Sequence, residues 1–215
     1  MNNSKFLYFI VLFLSFCVSA PADQTLVGLF SKSNLDGWKE KVFFGKTAYQ
    51  ITSLENESVM EAQSQNSASG LFKKVRIDLK KYPYLNWRWR IENRTGIGNE
   101  KIKSGDDYAA RVYVVIDGGI FVWRTRALNY VWAYGAEVET WENAFAGKNA
   151  MMMALRTRQD DTSTWYVEKR NVYLDLKKVF GKEFQFIDAV AIMTDTDNSR
   201  GKMTAYYGDL YFSKK

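Results

Sequence analysis

Two-residue alternation of apolar and polar positions organises most of the chain. Over residues 84–92, Leu85, Trp87, Trp89 and Ile91 share one parity while Asn86, Arg88, Arg90 and Glu92 share the other, the period of a strand with one covered face. Residues 108–117 repeat it, with Ala110, Val112, Val114 and Ile116 opposed to Arg111 and Tyr113. Gly118-Gly119 then predicts a hairpin-like turn into a strand at 120–124. Further strands are expected at 128–134, 149–157, 164–171, 186–194 and 204–213. Residues 186–193 are apolar on both parities and predict a central strand. Helix is expected only at 174–180, with Asp175 early, Lys177 and Lys178 late and Gly181 as a left-handed C-cap. The polar stretch 96–106, rich in glycine and asparagine, reads as a long mobile loop. Many short strands with one small helix predict an all-β fold, a jelly-roll β-sandwich of two antiparallel sheets.

Composition adds a location. Residues 1–22 have the form of a secretory signal peptide: Lys5 closes a positive n-region, 6–16 are apolar, and Ala20-Pro21-Ala22 is a small-x-small cleavage pattern. Cleavage after Ala22 predicts a periplasmic or secreted chain whose residues 23–215 form one domain. The single cysteine, Cys17, leaves with the peptide; a lipid-attachment reading of Cys17 is disfavoured by bulky Phe16 before it. The chain has no histidine, so thiol, Ser-His and zinc-imidazole chemistry are excluded from the mature protein. The apolar run is short for a membrane span of about 20 residues. The net charge of +6 fits a lysine-rich solvated surface as well as an acidic polymer partner. Nucleic acid is not expected, because export removes the usual targets and acidic residues nearly balance basic ones. Oligomeric state is left open.

Several constellations carry candidate chemistry. The loop Asp195-Thr196-Asp197-Asn198-Ser199-Arg200-Gly201 gathers oxygen donors suited to a hard cation, so calcium is the candidate cofactor, held by Asp195, Asp197, Asn198 and Asp209 with Asp106-Asp107 completing a cage. The spacing departs from the EF-hand pattern, and an Asp/Asn turn bonded to its own backbone is the competing reading. On 164–171 the parity that excludes Trp165 and Val167 carries Tyr166, Glu168 and Arg170. With Arg111 and Tyr113, and with Arg156 and Arg158, these predict an outward Arg/Tyr/Glu platform able to hold a sugar carboxylate. A cross-strand salt-bridge ladder is the alternative. Of the seven tryptophans, Trp141 and Trp123 stand near turns and are the candidates for stacking on a sugar ring, whereas Met151, Met152 and Met153 read as core filler.

Two enzymatic patterns compete with binding. Glu137-Val138-Glu139-Thr140-Trp141-Glu142 superficially resembles the carboxylate strand of a jelly-roll glycosidase, although a regular strand turns Glu142 away from Glu137. A polysaccharide lyase would pair a tyrosine base, Tyr113 or Tyr166, with Arg111 or Arg170.

The order Asp36-Gly37-Trp38, Ser67-Ala68-Ser69-Gly70-Leu71, the strand 85–90, Asp106-Asp107-Tyr108-Ala109-Ala110-Arg111 and Ala127-Leu128-Asn129-Tyr130-Val131-Trp132 resembles a family of exported bacterial proteins catalogued only as a domain of unknown function. Trp165, Glu168, Arg170, Asn171-Val172, Asp175, Phe180-Gly181, the stretch 191–198 and Tyr207-Gly208-Asp209 continue the likeness over nearly all of the mature chain. The resemblance implies a carbohydrate-binding-like, galactose-binding-like sandwich, with no established activity. Asn171 stands where that pattern leads one to expect aspartate. Binding of a carbohydrate or cell-envelope polymer is thus the leading expectation, with a glycoside hydrolase or lyase as the alternative.

Overall fold

The computed structural model describes residues 23–94, 98–135 and 137–215; the signal-peptide assignment of 1–22 lies outside them. The first sheet contains β1 (Gln24–Gly28), β3 (Ala48–Leu54), β4 (Glu57–Gln65), β6 (Tyr84–Ile91), β11 (Tyr166–Asn171), β13 (Lys202–Tyr207) and β14 (Leu210–Ser213). The second runs β2 (Trp38–Phe44), β5 (Ala68–Asp78), β12 (Phe186–Asp195), β7 (Arg111–Ile116), β8 (Arg126–Trp132), β10 (Gly147–Arg156) and β9 (Thr140–Asn143) in spatial order. The expected jelly-roll sandwich is therefore present. One departure from antiparallel pairing is β8 with β10. The chain leaves β8, forms β9 at the sheet's edge, and returns between them as β10, so β10 runs antiparallel to β9 and parallel to β8.

Alternation decides what the sandwich encloses. Leu85, Trp87, Trp89 and Ile91 of β6 meet Val112, Val114, Leu128, Tyr130 and Trp132 of the second sheet in one apolar core. Trp87 lies 5.3 Å from Tyr130 and Trp89 lies 6.0 Å from Trp132 between ring centroids, so aromatic pairs tie the two layers together. Each such side chain contributes about 1.5–3 kcal/mol by leaving water, which lets a chain without disulfides hold together. As expected, β12 is central, between β5 and β7. Val190 and Ile192 enter the core, while Ala191 and Met193 lie on the opposite face of the strand.

The helix α1 (Val172–Phe180) begins two residues before the expected start. Asn171 is its N-cap, accepting a 3.0 Å bond from the Leu174 amide. Gly181 closes the helix in the left-handed conformation, at φ 67°. One expectation is corrected. The 120–124 strand is absent: Val122–Arg124 form a 3₁₀ turn in a loop that enters β8 at Arg126. The described part of 96–106 is the expected loop, largely exposed, tied down at Glu100, which is buried and accepts a 2.7 Å bond from the Gly135 amide.

Candidate functional site

The outer face of the second sheet, turned away from the core, carries a cleft of about 430 Å³. Strand register builds its floor. Arg111 and Tyr113 of β7 lie beside Met193 and Ala191 of β12, and Tyr113 is opposite Asn129 of β8. Ala68, Ala127 and Ala150 are the small side chains that leave the cleft its depth. Its walls are aromatic: Phe43 and Phe44 at the end of β2, and Phe145 in the turn joining β9 to β10, each more than half exposed. Asn143 shapes that turn by accepting from the Phe145 and Ala146 amides at 3.0 and 2.9 Å. Crossing seven strands at about 4.8 Å spacing, the sheet offers a path of up to roughly 29 Å, the reach of a short oligosaccharide.

The polar end of the cleft is an ion-pair network. The Arg111 Nε donates to Asp195 Oδ1 at 3.0 Å, and one terminal nitrogen reaches both Asp195 Oδ2 and the Asp106 carbonyl, the latter at 2.9 Å. The guanidinium lies 4.2 Å from the Tyr108 ring centroid. Burial, reinforced by the neighbouring Asp107 and Asp106 carboxylates, holds the Asp195 carboxyl above its usual range despite Arg111. Burial also raises Asp106, and burial together with Asp107 raises Asp197.

Of the calcium candidates, Asp195 and Asp197 converge with Asp107, one oxygen of each within 4.8 Å of the others, and Asn198 joins them by donating to Asp107 at 3.2 Å. Asp209 does not belong: it accepts from the Ser31 amide and hydroxyl at 2.8 and 2.6 Å, away from the cleft. Both Asp195 oxygens face Arg111, and both Asp107 oxygens accept from the Asn198 and Ser199 amides at 3.1 and 2.6 Å. A hard cation at this cluster would share Asp195 with Arg111 and Asp107 with the two amides, and would draw on Asp197 and on water to complete six to eight oxygens.

The expected platform divides. Arg111 and Tyr113 line the cleft, but Tyr166, Glu168 and Arg170 point inward, because β11 pairs with β6 in the register Tyr166 to Trp89, Glu168 to Trp87 and Arg170 to Leu85, placing them on the core side. As the edge strand beyond β6, β11 sets this polar parity at the sandwich's seam, where charges can pair. Glu168 accepts from Trp89 Nε1 at 3.1 Å and from Arg156 Nε at 2.6 Å. Arg170 donates to Asp175 at 2.9 and 2.6 Å, and Asp175 also accepts the Tyr130 hydroxyl at 2.9 Å. Tyr166 packs edge-on against Trp132 at 5.3 Å. Outward on β11 is Val167.

Trp141 is likewise not a free aromatic. It is 8% exposed, stacked on Tyr108 at 6.4 Å beneath the 98–108 segment, in a small second core with Val131, Ala133, Met152 and Ala154. Trp123 is 63% exposed, as expected. The glycosidase-like pattern does not form a catalytic face: Glu142 pairs in register with Met151, on the side opposite Trp141, and Glu139 is bound to Lys101 at 2.8 Å. Of the lyase candidates, Tyr113 and Arg111 stand together on the cleft floor, where burial pushes the Tyr113 phenol up to about 12 and Asp195 engages Arg111, while Tyr166 and Arg170 lie on the core side of β11. Phe43, Phe44, Phe145, Asn129 and Asn143 escaped sequence reasoning; the only signal was the consecutive apolar run Val42-Phe43-Phe44, which breaks alternation.

A family model described as "Protein of unknown function (DUF3047)" matches residues 36–211. The chain belongs to the DUF3047 family. That membership agrees with the resemblance read from the motifs. No curated protein matches the chain. Among solved structures, a family 11 carbohydrate-binding module from Clostridium thermocellum is similar at TM-score 0.48 and 10% identity, over 90% of this chain and 97% of that one. The xyloglucanase domain of NopAA from Sinorhizobium fredii is similar at TM-score 0.47 and 13% identity, over 85% and 96%. A cellulase derived from Cel12A of Rhodothermus marinus reaches TM-score 0.46 at 11% identity, over 87% and 94%.

Proposed function

We propose that this DUF3047 protein binds a glycan in the cleft on the outer face of its second sheet. The observation that carries the reading is the pairing of exposed rings, Phe43, Phe44 and Phe145, with a floor on which Tyr113 and Asn129 are the polar side chains outside the Arg111–Asp195 network and the Asn143 turn. Sugar rings present apolar C–H faces and hydroxyl edges at once, so such a surface stacks the former and bonds the latter. Because Arg111 is committed to Asp195, the fit is to hydroxyl groups rather than to a sugar carboxylate, which revises the uronate expectation. Binding is favoured over catalysis on the geometry of Glu142, Tyr113 and Arg111 described above.

Export to the periplasm or beyond, where a cell-envelope polymer would be the ligand, is part of the proposal and rests on the sequence of residues 1–22. No helix among the described residues is long and apolar enough to cross a membrane. The test is titration of the purified protein against a panel of neutral and uronate polysaccharides, with reducing ends and unsaturated-sugar absorbance followed in parallel. Saturable heat with a neutral glycan and no product is expected. Product formation would move the assignment to an enzyme, and silence across the panel would refute glycan binding. The mass of the exported protein, starting at Asp23, checks the location.

A further inference from the structure

The loop between β7 and β8 holds four consecutive apolar residues in solvent. Ile120 is 86% exposed, Val122 73% and Trp123 63%, with Phe121 partly covered by the Arg124 guanidinium, 4.4 Å from its ring centroid. Leaving such a cluster in water is unfavourable, and single-chain soluble surfaces seldom present contiguous apolar tips without a partner.

The loop is nonetheless built to hold this shape. The Phe121 amide donates to Gly118 O at 3.1 Å, Arg124 N to Phe121 O at 2.7 Å and Thr125 N to Val122 O at 3.1 Å. Gly118 N donates to Thr125 Oγ1 at 3.1 Å, and Arg126 and Asn149 side chains both donate to Trp123 O, at 3.1 and 3.4 Å. A Cβ at Gly118 would collide with the Phe121 carbonyl oxygen, so glycine is required there. These residues lie outside the cleft lining, and glycan binding does not account for them.

Charge names the partner. Arg124 and Arg126 follow the tip, and exposed Lys148 opens the neighbouring strand beside Asn149. The acidic group on the loop, Asp117, accepts from the Gly119 amide at 2.9 Å. An apolar tip containing tryptophan with a basic collar matches the boundary of an anionic bilayer, where the rings enter the interface and the cations meet phosphates. We infer that the Ile120–Trp123 tip docks the protein onto an anionic phospholipid surface, independently of the cleft.

The test uses the mature protein with vesicles of phosphatidylcholine, with and without phosphatidylglycerol. Trp123 is exposed while the other tryptophans among the described residues are buried or half-buried, so insertion should shift emission to the blue as the protein co-sediments with the anionic vesicles. Binding should weaken as salt rises. The double variant Val122→Ser/Trp123→Ser should keep its melting temperature and lose roughly tenfold or more in partitioning, and Arg124→Glu should lose the dependence on phosphatidylglycerol. Absence of wild-type binding, or equal binding by the double variant, overturns the inference. A concentration-dependent dimer in velocity sedimentation that the double variant abolishes also overturns it, by assigning the tip to a second copy of the chain.

Discussion

Replacing Arg111 with methionine reduces the buried pair at the cleft floor to a lone carboxylate. Asp195 is 2% exposed, and among the polar groups around it only the Tyr108 amide, at 3.3 Å, remains as a donor once Arg111 is gone. Removing one member of a buried ion pair costs about 3–5 kcal/mol, because the survivor keeps its desolvation penalty. For a domain of this size each kcal/mol moves the melting temperature by about 2–4 °C, so a loss of roughly 6–20 °C is expected. The variant also has a pH signature. Asp195 already binds its proton more tightly in the folded than in the unfolded state, where the ordinary value is 3.8, and loss of Arg111 strengthens that bias. A raised carboxylate contributes stability that is present at low pH and lost as pH rises through the folded value. The cost of Arg111→Met should therefore grow above about pH 7, where the wild-type Asp195 carboxyl has released its proton and the variant's has not, by at most about 1.4 kcal/mol per unit. Urea denaturation followed by circular dichroism at several pH values measures both effects. The double variant Arg111→Met/Asp195→Leu should recover most of the loss. A cost below about 1 kcal/mol, or one that does not change with pH, would refute the burial and pairing argued for this network.

Other outcomes follow from the same packing. Trp141→Ala should cost about 3–5 kcal/mol in denaturant titration, whereas Trp123→Ala should stay within about 0.5 kcal/mol, reversing the expectation that both rings are free. Glu168→Ala should cost about 1–3 kcal/mol by stranding Trp89 Nε1 and Arg156 in the seam, while leaving glycan affinity unchanged in calorimetry. Because Arg111 balances the Asp107, Asp195 and Asp197 cluster, chelator should leave the melting temperature unchanged, and a clear downward shift would instead identify a bound calcium.

Periodicity separated the two faces of each strand but did not say which face was core. On β6 the apolar parity was the buried one, and Leu85, Trp87, Trp89 and Ile91 were read correctly. On β11 the parity carrying Tyr166, Glu168 and Arg170 turned inward because its register on β6 sets them beside Trp87 and Trp89, and register is a long-range property. The charges are tolerated there because Arg156 and Asp175 satisfy them. Trp141 misled for a similar reason: its cover, Tyr108, comes from a segment more than thirty residues earlier in the chain. Asp107 meets the Asp195 loop and Asp209 does not; composition named both as possible partners, and only the fold could choose between them. The cleft itself depends on small residues from three strands and on rings at both edges, a combination no single window contains.

The central claim is that Phe44 and Phe145 hold a sugar chain across the second sheet. Isothermal titration of a neutral oligosaccharide into wild type and into Phe44→Ala/Phe145→Ala tests it directly. Each ring that leaves water on binding is worth about 1.5–3 kcal/mol, so affinity should fall by roughly a hundredfold or more while the melting temperature holds. Equal affinities in the two proteins, or binding that survives until Trp123 is removed, would contradict the account.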